Sequence, residues 1–243
     1  MENLEQEILD TSSSNNTNNK EEIEGNTENI ITVIPRSIVD GSKLILRLKK
    51  DEKLSYESPT RILFSNKQLK LERSIWWLTD VILTEATLIV LDSCSSGMKF
   101  FPVPMKKFGT LYSREGVGHV ITGDIIRSRV CSRSIPYRNC NKFEYAPRNI
   151  GNLRSVNFSD GEENEDIDIV YLRGDDSIIR YSLQPNEQIE LGAGTVIAWT
   201  SGVSFNFKSF CCMKFVTSIV GDPSHVSTVW IANSGSKMLY QHG

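Results

Sequence analysis

Residues 169–205 read IVYLRGDDSIIRYSLQPNEQIELGAGTVIAWTSGVSF. Short apolar runs, Ile169-Val170-Tyr171-Leu172, Ile178-Ile179 and Val196-Ile197-Ala198-Trp199, are punctuated by Gly174-Asp175, Pro185-Asn186 and Ser201-Gly202. Gly, Asp, Asn and Pro form turns, whereas β-branched and aromatic residues suit a pleated, half-buried surface. Val203-Ser204-Phe205-Asn206-Phe207 alternates strictly, which places three apolar side chains on one face of an extended chain. Helical spacing is scarce, so this segment decides for strands and against helices.

The same texture extends in both directions. Leu44-Ile45-Leu46-Arg47-Leu48, Ile75-Trp76-Trp77-Leu78 and Leu88-Ile89-Val90-Leu91 precede it, and Met213–Ile219 and Val226–Ile231 follow it. Ile30-Ile31-Thr32-Val33-Ile34 is a further run near the start. Strand-sized segments at this spacing predict an all-β fold of sandwich or barrel-like packing over residues 29–243, as a single domain. Trp199 is expected in the core. Trp76 and Trp77 cannot share one face of a strand, so one of them is expected at an edge or interface.

The chain also echoes itself. Val120-Ile121-Thr122-Gly123-Asp124-Ile125-Ile126-Arg127 resembles residues 171–180, and Val229–Ser236 reads like the first half of a third copy. The first two both read as a strand, a Gly-Asp turn and an Ile-Ile-Arg strand, which suggests a fold assembled from repeated antiparallel hairpin units.

The 243 residues are 39% hydrophobic and 23% charged, with a formal net charge of -3. That balance fits a globular protein and gives no overall bias toward a polyanion. Residues 1–29 hold eight acids and one base, Lys20, and include the run Thr11–Asn19 of Thr, Ser and Asn. Such a stretch cannot bury enough apolar surface to offset its ordering entropy, so residues 1–28 are read as a disordered acidic tail. It resembles neither a secretory signal nor an Arg-rich mitochondrial presequence. No apolar run is long enough to span a membrane as a helix. The five cysteines, Cys94, Cys131, Cys140, Cys211 and Cys212, are an odd number, which with no signal sequence suggests a reduced intracellular protein.

Charge is unevenly distributed. Residues 99–154 carry eleven bases against the three acids Glu115, Asp124 and Glu144, whereas residues 158–190 carry ten acids against Arg173 and Arg180. Arg127, Arg129 and Arg133 fall on one face if their segment is extended, a candidate surface for RNA or acidic lipid. Pairing with the acidic segment at 160–168 within the fold is the favoured alternative. That acidic segment lacks the Asp-x-Asp-x-Asp-Gly order of a calcium loop.

Reactive constellations are missing from the sequence. His119, His225 and His242 are the histidines, and neither a Gly-x-Ser-x-Gly elbow nor a His-Glu-x-x-His or Cys-x-x-Cys spacing occurs. Gly116-Val117-Gly118-His119 is too short to cradle a nucleotide. The residues therefore indicate no catalytic group, cofactor or metal, although Cys131 and Cys140 sit in the basic block, where a thiol pKa can fall.

A more specific pattern runs through Leu183-x-Pro185-x-Glu187-x-Ile189-x-Leu191, Gly194-x-Val196-Ile197-Ala198-Trp199 and Val203-x-Phe205, and ends at Val229-Trp230-Ile231-Ala232-Asn233. Mainly over residues 165–232, it resembles the altered inheritance of mitochondria family, also described as TRAP-like. Asn186 stands where that family usually has Gly, and Asp222-Pro223-Ser224-His225 replaces its Gly-Pro-Gly step. The resemblance implies a TRAP-like β-sandwich and a non-catalytic structural or assembly role in mitochondrial inner-membrane organisation. It implies protein partners or a homo-oligomer and a mitochondrial location, with the cytosol as the alternative. An RNA- or acidic-lipid-binding module using residues 99–154 is the competing expectation.

Overall fold

In the segment Lys43–Leu48, Leu44, Leu46 and Leu48 are buried while the residues between them are not, the period of a strand with one covered face. The computed structural model describes residues 36–75, 78–95, 97–131, 139–146, 168–175, 178–191, 195–210 and 213–232. The tail at 1–28, the run Ile30–Ile34, the Trp76-Trp77 pair and most of the acidic segment lie outside the described residues. Residues 36–232 fall within one compact unit.

Among the described residues the regular secondary structure is almost entirely strand. The first eight strands are β1 (Ser37–Asp40), β2 (Lys43–Leu48), β3 (Leu54–Glu57), β4 (Arg61–Ser65), β5 (Lys70–Ile75), β6 (Leu78–Ile82), β7 (Thr87–Asp92) and β8 (Met98–Pro104). A single helical turn, α1 (Met105–Phe108), leads to β9 (Thr110–Arg114), β10 (His119–Thr122), β11 (Ile125–Val130), β12 (Cys140–Tyr145) and β13 (Ile169–Asp175). There follow β14 (Ile178–Leu183), β15 (Gln188–Ile189), β16 (Val196–Thr200), β17 (Ser204–Phe210), β18 (Met213–Val220) and β19 (Ser227–Ala232).

The strands pair antiparallel into four sheets. Sheet A has the order β1-β2-β7-β4, sheet B β5-β6-β3-β10-β13-β8, sheet C β11-β12-β9-β16-β19-β14 and sheet D β15-β18-β17. Three apolar cores separate them. Leu44, Leu46, Ile89 and Leu91 of sheet A meet Leu54, Phe100, Val120 and Tyr171 of sheet B. Val103, Ile121, Val170 and Leu172, on the other face of sheet B, meet Leu111, Phe143, Ile197 and Trp230 of sheet C. Val196, Trp199 and Val229, on the far face of sheet C, meet Phe205 and Ile219 of sheet D. The all-β sandwich expected from the sequence is present, extended to four stacked layers. Sheets B and C are covered on both faces, which is why β10, β16 and the first half of β19 are buried at every position.

The internal repetition has a topological form. Raising each strand number in sheet B by six gives the strand order of sheet C. The echoed segments, however, are corners between layers. β10 belongs to sheet B and β11 to sheet C, and β13 and β14 are divided in the same way. Each Gly-Asp step thus carries the chain from one layer into the next, whereas a hairpin would keep both strands in one sheet. At the first corner Gly123 has φ +80°, and a Cβ there would collide with the Asp168 carboxylate. That carboxylate accepts the Asp124 N–H at 2.8 Å and fixes the corner. Asn186 adopts φ +60° in the turn before β15, a left-handed conformation that Asn tolerates better than most residues.

Trp199 is core, as its position in the sequence predicts. It stacks on Tyr112 with centroids 5.8 Å apart and meets Phe205 edge-on at 5.0 Å. A bulge between Val196 and Ala198 turns both Val196 and Trp199 toward sheet D while Ile197 and Ala198 face sheet B. Trp199→Ala is expected to lower unfolding free energy by about 3–5 kcal/mol, read as a lower urea midpoint at unchanged m value.

Candidate functional site

The most concentrated polar chemistry among the described residues lies between sheets B and C. Glu57 ends β3 and His119 begins β10, both in sheet B, while Ser113, Arg127 and Asn141 come from β9, β11 and β12 of sheet C. Ser113 Oγ lies 2.8 Å from His119 Nε2. His119 Nδ1 lies 2.8 Å from Glu57 Oε2. Arg127 donates to Glu57 Oε1 at 2.7 Å and to Asn141 Oδ1 at 2.8 Å. An ionised carboxylate only accepts, so neutral His119 carries its proton on Nδ1 and Nε2 accepts from the Ser113 hydroxyl.

Charge and burial set the protonation of this network. Burial holds His119 below the usual imidazole range, outweighing the Glu57 carboxylate, which favours the cation; Arg127 and Arg173 push the same way as burial. Burial pushes Glu57 up, but the His119 hydrogen bond and the Arg127 guanidinium outweigh it, and the carboxyl ends below its usual value. Arg173 approaches because Gly118 has no side chain: a Cβ there would lie 2.8 Å from Arg173 Cζ. Phe143 packs against the imidazole at 4.8 Å.

Serine, imidazole and carboxylate in this order can make a nucleophile. Here Ser113 and His119 are both 0% exposed. Two open grooves, of about 530 Å³ (beside Arg61, Asp92 and Cys94) and about 410 Å³ (beside Asp51 and Asp80), lie elsewhere and contain neither residue. In this position the arrangement pins two sheets together by satisfying polar groups within a core. No group of three or more His, Cys, Asp or Glu placed to hold a metal ion occurs among the described residues.

The sequence singled out His119 as a histidine and missed its partners. Glu57 lies 62 residues away, so no local spacing could reveal it. Of the three arginines proposed for an anionic partner, Arg133 lies outside the described residues. Arg127 and Arg129 do share a face of β11: Arg127 meets Glu57 of sheet B, and Arg129, half exposed, meets Glu115 just after β9. The counter-charges given by the described residues come from β3 and from the loop after β9, and residues 160–167 of the acidic segment favoured on sequence grounds lie outside the described residues. The one described residue of that segment, Asp168, holds the corner at Asp124 and lies 3.8 Å from Lys106. Cys131 is exposed and donates to Asn139 Oδ1 at 2.8 Å, while burial pushes the Cys140 thiol up, away from a reactive thiolate.

No family model and no curated protein matches the chain. Among solved structures it is similar to protein SPYM3_0169 from Streptococcus pyogenes, with 9% identity and a TM-score of 0.57, covering 81% of this chain and 92% of that one. At that identity the likeness concerns the fold alone. No helix among the described residues is long and apolar enough to cross a membrane.

The network makes stability depend on pH with a definite sign. The folded-state pKa of His119 lies below 6.5, so on acidification the unfolded chain takes up that proton first and the native state is disfavoured. Stability from this group is complete above pH 6.5 and is lost as pH falls toward the folded pKa. Glu57 acts in the same direction below pH 4.5. Urea midpoints from pH 8 to 5 are expected to fall, by at most about 1.4 kcal/mol per pH unit for one proton, and His119→Gln is expected to flatten that fall.

Proposed function

We propose that this chain is a non-catalytic structural or assembly protein acting through protein partners or copies of itself, located in mitochondria and serving inner-membrane organisation. One observation carries the non-catalytic part: the Ser113–His119–Glu57 trio has the order of a nucleophilic triad, yet its serine and histidine are fully enclosed between two sheets. A hydroxyl that no substrate reaches contributes cohesion rather than turnover. The mitochondrial part rests on the resemblance over residues 165–232. Binding of RNA or acidic lipid by the segment 99–154 receives less support, because Arg127, Arg129, Lys106 and Lys142 each lie against a carboxylate of the same chain.

Two measurements test the reading. The full chain is expected to leave short-chain p-nitrophenyl esters unhydrolysed, with Ser113→Ala indistinguishable from the parent; turnover that this substitution removes would overturn the non-catalytic role. Fractionation of cells expressing the tagged chain is expected to recover it with inner-membrane markers. Recovery in the cytosol alone would overturn the mitochondrial part.

A further inference from the structure

Among the described residues sheet A is an outermost layer, and its outward face is not what a solvated antiparallel sheet requires. Such a face normally alternates to polar residues. The inward side chains of β2 and β7, Leu44, Leu46, Ile89 and Leu91, fill the core against sheet B. The cross-strand partners facing outward include Ile38 on β1, Ile45 on β2, Val90 on β7 and Phe64 on β4, which are in register as one apolar row across all four strands. Phe64 is 40% exposed, and Leu63 at the adjoining bulge is 46% exposed. Val90, between Ile45 and Phe64, is nearly covered by its neighbours.

A second row beside the first is charged. Asp40, Lys43, Asp92 and Arg61 follow one another across β1, β2, β7 and β4, in register on the same outward face. The signs alternate: acid, base, acid, base. This order has a symmetry consequence. A two-fold axis parallel to the strands and lying above the face sets β1 of one copy over β4 of the other and keeps each row over itself. Asp40 then faces the other copy's Arg61, Lys43 faces Asp92, and the same pairs repeat in reverse. The apolar row meets itself with Ile38 over Phe64 and Ile45 over Val90. These two rows are thus complementary to themselves in polarity and charge, the requirement of an isologous interface, and the third outward pair, Arg47 and Leu88, lays an arginine stem over an apolar side chain.

We propose that the outward face of sheet A is a homodimer interface, occupied by sheet A of a second copy packed face to face. This rests on the assembly reading above and names the partner. Four strands about 4.8 Å apart and about six residues long offer roughly 350 Å² of flat area, so the interface is of the small class. The dimer is therefore weak and concentration-dependent. The apolar row supplies the attraction, and the charged row selects the antiparallel strand order, because any arrangement setting Asp40 over Asp40 or Arg61 over Arg61 opposes like charges.

Sedimentation equilibrium of the full chain at neutral pH and low salt tests this. A monomer–dimer equilibrium is expected, with Kd between about 1 µM and 1 mM. Phe64→Glu, Asp40→Arg and Arg61→Asp are each expected to weaken association at least tenfold. Every substitution enters the symmetric interface twice. The double variant Asp40→Arg with Arg61→Asp is expected to recover to within about threefold of the parent, because each reversed charge again faces its opposite. Thermal midpoints and near-ultraviolet circular dichroism of the variants establish that each is folded, and the rescue itself cannot arise from damage to the fold. A monomer at every concentration would overturn the inference. So would a dimer indifferent to the single substitutions, or single losses that the double variant fails to restore. These readouts are separate from ester hydrolysis and cell fractionation, so the dimer can fail while the assembly reading stands, and the reverse.

Discussion

Burial of two sheets on both faces is the constraint from which the rest of this structure follows. A sheet with one wet face can leave half its side chains polar. Sheets B and C have no wet face along their central strands, so β10, β13, β16 and β19 are buried over most of their length. Any polar group left there needs a partner, because an unpaired donor or acceptor in a dry interior costs about 1–3 kcal/mol. Ser113, His119 and Glu57 satisfy one another under that rule, and Arg127 neutralises the carboxylate that completes the chain of bonds.

The same constraint accounts for the basic segment. A guanidinium brought between two layers loses its water and requires an anion at close range. Arg127 finds Glu57 from the facing sheet. Arg129, nearer the edge, finds Glu115. Arg127 and Arg129, read in the sequence as free positive charge, are thus drawn by folding into separate ion pairs. Sheet A, by contrast, has one face without a covering layer among the described residues. It is there that apolar and charged side chains stand in ordered rows with no partner layer.

Strand positions were legible because period two and turn residues are local properties. Leu44–Leu48, Leu88–Leu91 and Met213–Ile219 fall within strands of the folded chain, and Val226–Ile231 begins one residue ahead of β19. Trp199 was legible as core for the same reason. Its orientation was not, since the bulge after Val196 breaks the alternation from which a face is read. The echo of Gly123-Asp124 in Gly174-Asp175 was visible as well, yet whether a turn closes a hairpin or crosses to another sheet depends on where the next strand finds its neighbours.

The sequence by itself therefore determined that the chain is all-β, where its strands and turns lie, and which residues are too apolar to stay in water. Those properties belong to a few consecutive residues. Only the tertiary structure decided that the described strands form four layers, that Glu57 meets His119 across 62 residues, and that Arg127 turns inward. The physical reason is that strand pairing and side-chain electrostatics act between segments distant in the chain. Their partners are fixed by which surfaces are buried together, and the local pattern of residues leaves that choice open.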